Sequence, residues 1–118
     1  MRRILSALVM LAPATPAAWA HAFLDHAVPS DGNSVSTAPT VIRIWFTQEL
    51  EPAFSTVEVR DDAGNRVDGG DAAVDSGDPM MLHASLKPLP PGKYHVAWHA
   101  LSVDTHTTEG TFTFIVGH

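Results

Sequence analysis

Tyr94-His95-Val96-Ala97-Trp98-His99-Ala100-Leu101 decides the class of fold. Tyr94, Val96, Trp98 and Ala100 alternate with His95, Ala97, His99 and Leu101, and a period of two belongs to a strand with one buried face. The same period continues downstream, where Thr111–Val116 aims Phe112, Phe114 and Val116 one way and Thr111, Thr113 and Ile115 the other. Upstream, Ile42, Ile44 and Phe46 share a face of Val41–Phe46, Val57 and Val59 share a face of Thr56–Arg60, and Leu82, Ala84 and Leu86 alternate with His83 and Ser85. No apolar run at helical spacing exceeds a turn or two, so helices are expected to be nearly absent. Pro29-Ser30-Asp31-Gly32, Asp62-Ala63-Gly64-Asn65, Asp68-Gly69-Gly70 and Pro90-Pro91-Gly92 supply turn chemistry between the strands. The predicted architecture is all-β, a small antiparallel sandwich or Greek-key barrel. Trp45, Trp98, Phe112 and Phe114 are assigned to its core. Asp61–Asp78, with six aspartates and one arginine, reads as a long solvated loop holding at most one weak strand.

The chain has 118 residues, room for one small domain with a targeting segment before it. Met1–Ala20 has the layout of a secretory leader: Arg2-Arg3, an apolar run from Ile4 to Ala12, then Pro13, Pro16 and Ala18-Trp19-Ala20. The apolar run is too short to cross a bilayer core, which needs about 20 residues. The expected boundaries are therefore 1–20 for a cleaved signal peptide and 21–118 for the mature domain, exported to the periplasm and not inserted in the membrane. There is no cysteine, which excludes disulfides, thiolate nucleophiles and cysteine-bound metals. Seven Lys and Arg against 13 Asp and Glu give a formal charge of −6, and loss of Arg2 and Arg3 with the leader makes it −8. Such a charge repels phosphate backbones, so no nucleic-acid partner is expected.

Seven histidines are many for this length, and their positions matter more than their number. Cleavage after Ala20 would give His21 a free α-amine, which with Nδ1 can close a six-membered chelate on a metal ion. An amine, imidazoles and a carboxylate form a nitrogen and oxygen set that suits tetragonal Cu(II); zinc would accept similar atoms in a tetrahedron. Asp104-Thr105-His106 can supply the rest, because residues two apart in an extended segment face the same way.

From His21 to Val116 the sequence resembles the CopC family of bacterial periplasmic copper-binding proteins. The resemblance rests on His21-Ala22-Phe23-Leu24, Val28-Pro29-Ser30-Asp31-Gly32, Ala38-Pro39, Trp45-Phe46-Thr47, Pro91–His99, Ser102-Val103-Asp104-Thr105-His106 and Gly110–Phe114. It implies a Greek-key β-barrel or sandwich of the immunoglobulin-like or cupredoxin-like kind. It further implies one Cu(II) ion per chain, held by His21 through both nitrogens, by Asp104 and by His106. The implied role is copper resistance, storage or hand-over to a CopD-type inner-membrane protein, without turnover of a substrate. Two departures stand out. Arg60–Val74 carries no methionine where some members have a methionine-rich Cu(I) loop, and Gln48 followed by Glu49 replaces a glutamate that some members place near the metal.

The remaining histidines have plainer readings. His95 and His99 lie about 13 Å apart along one strand face, from roughly 3.3 Å per residue, and cannot share an ion. His99 is the nearer to the Asp104 loop and is a candidate for orienting a ligand; His26 is a weaker rival ligand. His83 and His118 read as solvent-facing and terminal. Met80 and Met81 read as packing residues. Ser102, Asp104 and His106 sit too close in one loop to chain into a catalytic triad. Two other functions are compatible with the residues: a copper-dependent oxidative enzyme with a histidine-brace-like site, and a metal-free β-sandwich interaction module. Copper affinity is expected to fall as the pH drops below about 6.5, where imidazoles protonate.

Overall fold

The structure, a computed structural model, describes residues 23–117. It is a sandwich of two four-stranded sheets. The strands are β1 (Leu24–Val28), β2 (Ser34–Val35), β3 (Val41–Phe46), β4 (Thr56–Asp61), β5 (Ala73–Asp75), β6 (Asp78–Ser85), β7 (Gly92–Leu101) and β8 (Thr107–Val116). One sheet has the order β1-β3-β6-β5, the other β2-β8-β7-β4. All pairs are antiparallel except β2 with β8. The one helical turn among the described residues is Pro52–Phe54.

The alternation read from the sequence is what packs the sheets together. Ile42, Ile44, Phe46, Leu82 and Ala84 meet Val57, Val59, Tyr94, Val96, Phe112, Phe114 and Val116, all buried. Tyr94 and Phe114 stack at 5.5 Å, and the Tyr94 hydroxyl donates to the carbonyl of Pro90, tying the β6–β7 connection to the core. Phe46 meets Trp98 edge-on at 5.1 Å, a favoured aromatic geometry.

Three expectations need correction. Trp45 is not a core residue: with Ile44 and Phe46 pointing inward, period two turns it to the outer face, where His26 stacks on it at 4.4 Å. Asp61–Asp78 holds the one weak strand expected of it, but the rest is not simply solvated. It contains β5, folds back on β4 through an Arg60–Arg66 bridge, and buries Asp68, which bridges to Leu86. The Asp68 side chain is fully enclosed and accepts from Val59 N at 2.8 Å, Gly70 N at 3.0 Å and Arg66 Nε at 2.9 Å. The sequence does not reveal it, because one inward aspartate among six looks like the rest. His83 also departs from its reading: it is half-buried, 3.5 Å from Asp75.

Candidate metal centre

At one end of the sandwich β7 and β8 are joined by Ser102–His106, and this connection carries Asp104 and His106. The segment is a tight turn and not the extended strand that the Asp-x-His spacing suggests. Ser102 N donates to His106 O at 3.0 Å, Thr105 N donates to Ser102 O at 2.9 Å, and Thr105 takes a positive φ of 73°. Pleating therefore does not align the two side chains; the turn does. His106 Nδ1 lies 3.4 Å from Asp104 Oδ1, with both side chains about half exposed.

Ser102 builds the turn from below. It has no exposure to solvent, and its hydroxyl donates to the Asp104 carboxylate while accepting from His106 N at 3.3 Å. That hydroxyl is the main reason the Asp104 carboxyl is held below its ordinary value of 3.8; desolvation opposes the shift and His106 adds to it. Asp104 is thus a carboxylate at neutral pH, with its orientation fixed from inside the fold. In the sequence Ser102 stands out only as the first residue of the Ser-x-Asp-x-His motif, since a buried hydroxyl has no signature in a linear pattern.

The turn is anchored to the segment after β3. Val103 N donates to Glu49 O at 3.0 Å, Glu51 N donates to Leu101 O at 2.7 Å, and Leu50 bridges Ser102. Glu49 thereby meets the turn through its main chain. Four residues before Glu51, Thr47 holds the first described residue: Thr47 N donates to Phe23 O at 2.9 Å and Phe23 N donates to Thr47 Oγ1 at 3.0 Å. His21 lies outside the described residues, as does His118.

The other histidines are engaged elsewhere. His26 pairs with Asp25 at 2.8 Å, His95 with Asp62 at 2.8 Å, and His99 Nδ1 lies 3.3 Å from the Phe54 carbonyl. Among the described residues no three His, Asp or Glu side chains gather to hold an ion. One carboxylate and one imidazole are half of a nitrogen and oxygen set suited to Cu(II), so the described donors fit that ion in kind but need others to complete it. No helix among the described residues is long and apolar enough to cross a membrane.

Comparison with known proteins gives a consistent picture. The CopC domain model matches residues 24–117. Protein YobA of Escherichia coli is 36% identical over 103 residues, covering 86% of this chain and 83% of YobA. Copper resistance protein C of Xanthomonas campestris is 31% identical over 126 residues, covering 98% and 96% respectively. Among solved structures, CopC from Methylosinus trichosporium superposes with a TM-score of 0.73 at 31% identity, covering 82% of this chain and 94% of that one. PcoC, a methionine-rich copper resistance protein from Escherichia coli, superposes with a TM-score of 0.73 at 31% identity, covering 81% and 98%. After Ala20 this chain has only Met80 and Met81.

Proposed function

This chain belongs to the CopC family, and on that premise we propose that it binds one Cu(II) ion through His21, Asp104 and His106 and carries it in the periplasm for copper resistance. The cargo is held, stored or passed on, with a CopD-type inner-membrane protein as the proposed acceptor. The observation that carries this reading is the Ser102-anchored turn, which presents a carboxylate and an imidazole 3.4 Å apart at the end of the sandwich where Phe23 is pinned. His21 lies two positions before Phe23, and two residues span at most about 7 Å. What supports a place for the α-amine of a chain starting at His21 beside the turn is that one segment holds both: Thr47 bonds Phe23, and Glu49 bonds Val103. Nitrogen and oxygen donors favour Cu(II) over Cu(I), so reduction favours release.

Electron paramagnetic resonance tests the proposal with one equivalent of Cu(II) on protein beginning at His21, beside protein with one extra residue before it. The extension keeps the imidazole and displaces the amine. A tetragonal nitrogen and oxygen spectrum that the extension alters is the expected result; identical spectra would overturn the chelate and favour a metal-free interaction module. Ser102→Ala supplies a second check. Losing the hydroxyl frees Asp104 to leave its orientation, and Cu(II) affinity measured by competition is expected to fall about tenfold, as for residues that orient ligands. Unchanged affinity in a folded Ser102→Ala protein would show that the turn does not need its buried anchor.

A further inference from the structure

A strand at the margin of a sheet exposes a row of main-chain donors and acceptors, and folds usually blunt such margins. The outer margin of β4 is blunted: Val59 N donates to Asp68, Val67 N donates to Val59 O at 2.8 Å, and Asp61 N donates to Asn65 O at 2.9 Å. Among the described residues, the outer margin of β8 is blunted only near its end. Its pairing with β7 runs without a bulge from Thr107 to Val116, so alternate residues turn their N–H and C=O away from β7. Ile115 N donates to Asn33 O at 2.9 Å, and Gly32 N donates to Thr113 O at 2.7 Å, which identifies the odd-numbered residues as the outward set. By that alternation Glu109 and Thr111 also face outward. Strand β2 pairs only with Ile115 and Val116, so among the described residues no strand covers this stretch.

Beside the uncovered stretch lies a cleft of about 460 Å³ between β1 and β8. Leu24, Trp98 and Phe112 give it apolar walls; its polar residues include Asp25, paired with His26 at 2.8 Å, and Asp31, which accepts from Thr113 N at 3.4 Å, and no lysine or arginine lines it. Trp98 reaches it because its partner across the ladder is Gly110, whose missing side chain leaves room for the indole.

We propose that the Glu109–Thr111 margin and this cleft form a docking site for an extended segment of a partner protein. The segment adds as a strand along β8, places an apolar side chain against Trp98, and sets flanking lysines or arginines beside Asp25 and Asp31. Main-chain pairing with a pocket for alternate side chains is how added strands are recognised. The acidic residues select a basic segment and oppose a second copy of this chain, whose own formal charge is −6. The site does not depend on the copper reading and can be tested on metal-free protein.

The probe is a terminally blocked heptapeptide, Lys-Val-Lys-Leu-Lys-Val-Lys, added up to millimolar concentration. Binding is expected to slow amide exchange at Glu109 and Thr111 at least tenfold and to shift Trp98 emission, while a peptide with glutamate for lysine does neither. Thr111→Pro removes one outward N–H without touching the β7 ladder, a position where an edge strand tolerates proline, and is expected to abolish binding. Asp25→Asn, which leaves the backbone intact, is expected to weaken it severalfold. Absence of slowed exchange, equal binding of the glutamate peptide, or insensitivity to both substitutions would overturn the proposal. So would sedimentation showing that two copies of the chain pair through this margin in preference to the peptide.

Discussion

Asp68→Ala is expected to cost about 3 kcal/mol of stability, the sum of a lost charged hydrogen bond and a buried N–H left without a partner. The N–H belongs to Val59, which has no exposure to solvent and, on the outer edge of β4, no neighbouring strand to accept from it. For a domain of this size about 3 kcal/mol lowers the thermal midpoint by roughly 12–24 °C. The pH dependence of the change is diagnostic. Burial pushes the Asp68 carboxyl up, but the Arg66 side chain and the N–H groups of Val59 and Gly70 outweigh it and hold the group below its ordinary value of 3.8. A carboxyl lowered in the folded state binds its proton more readily when unfolded. Its stabilisation is therefore present above the ordinary value and is lost as the pH falls through the folded one. Urea titrations at pH 7 and pH 3 should show the deficit of Asp68→Ala narrowing in acid. A deficit of the same size at both would mean that the charge of Asp68 carries none of the effect.

Gly110→Ala is the second large change. A Cβ at this position would lie 2.6 Å from Trp98 Cζ2 and 2.9 Å from Cε2, closer than atoms can approach. Relief requires the indole to shift, which disturbs its edge-on contact with Phe46 at 5.1 Å and its place in the cleft wall. Overpacking of this kind costs about 2–3 kcal/mol. The near-ultraviolet circular dichroism of tryptophan is expected to change with it. Gly64→Ala makes a useful comparison: Gly64 takes a φ of 89° but has open space around it, so only backbone strain of about 1 kcal/mol is expected. Equal losses for the two variants would remove Trp98 from the account.

Most strands are legible in the order of residues alone, because a two-residue period states which side chains are buried. Val41–Phe46 and the Tyr94–Leu101 run form strands where the alternation puts them, with β7 beginning two residues earlier at Gly92. Trp45 shows the limit of judging a residue by type, since its position in the alternation already turns it outward. Asp68 and Ser102 are legible in neither way. Asp68 is buried because a neighbouring strand brings Val59 N, which needs an acceptor; Ser102 serves the carboxylate and main chain of its own turn and is buried because the distant Leu50–Glu51 segment packs over that turn.

The sequence by itself determined the all-β class, the core-facing set of most strands and, through its motifs, the CopC family, since these depend on local period and residue type. It also singled out Asp104 and His106, but for a geometrical reason that does not hold, because their shared direction comes from a turn with Thr105 at positive φ. Only the tertiary structure decided that Ser102 anchors that turn, that Asp68 closes one sheet margin, and that among the described residues no strand covers the Glu109–Thr111 margin of β8 beside an acidic cleft. These are relations between residues far apart in the chain or hidden from solvent. They exist once two sheets have packed and the unpaired groups of each edge have found, or not found, a partner.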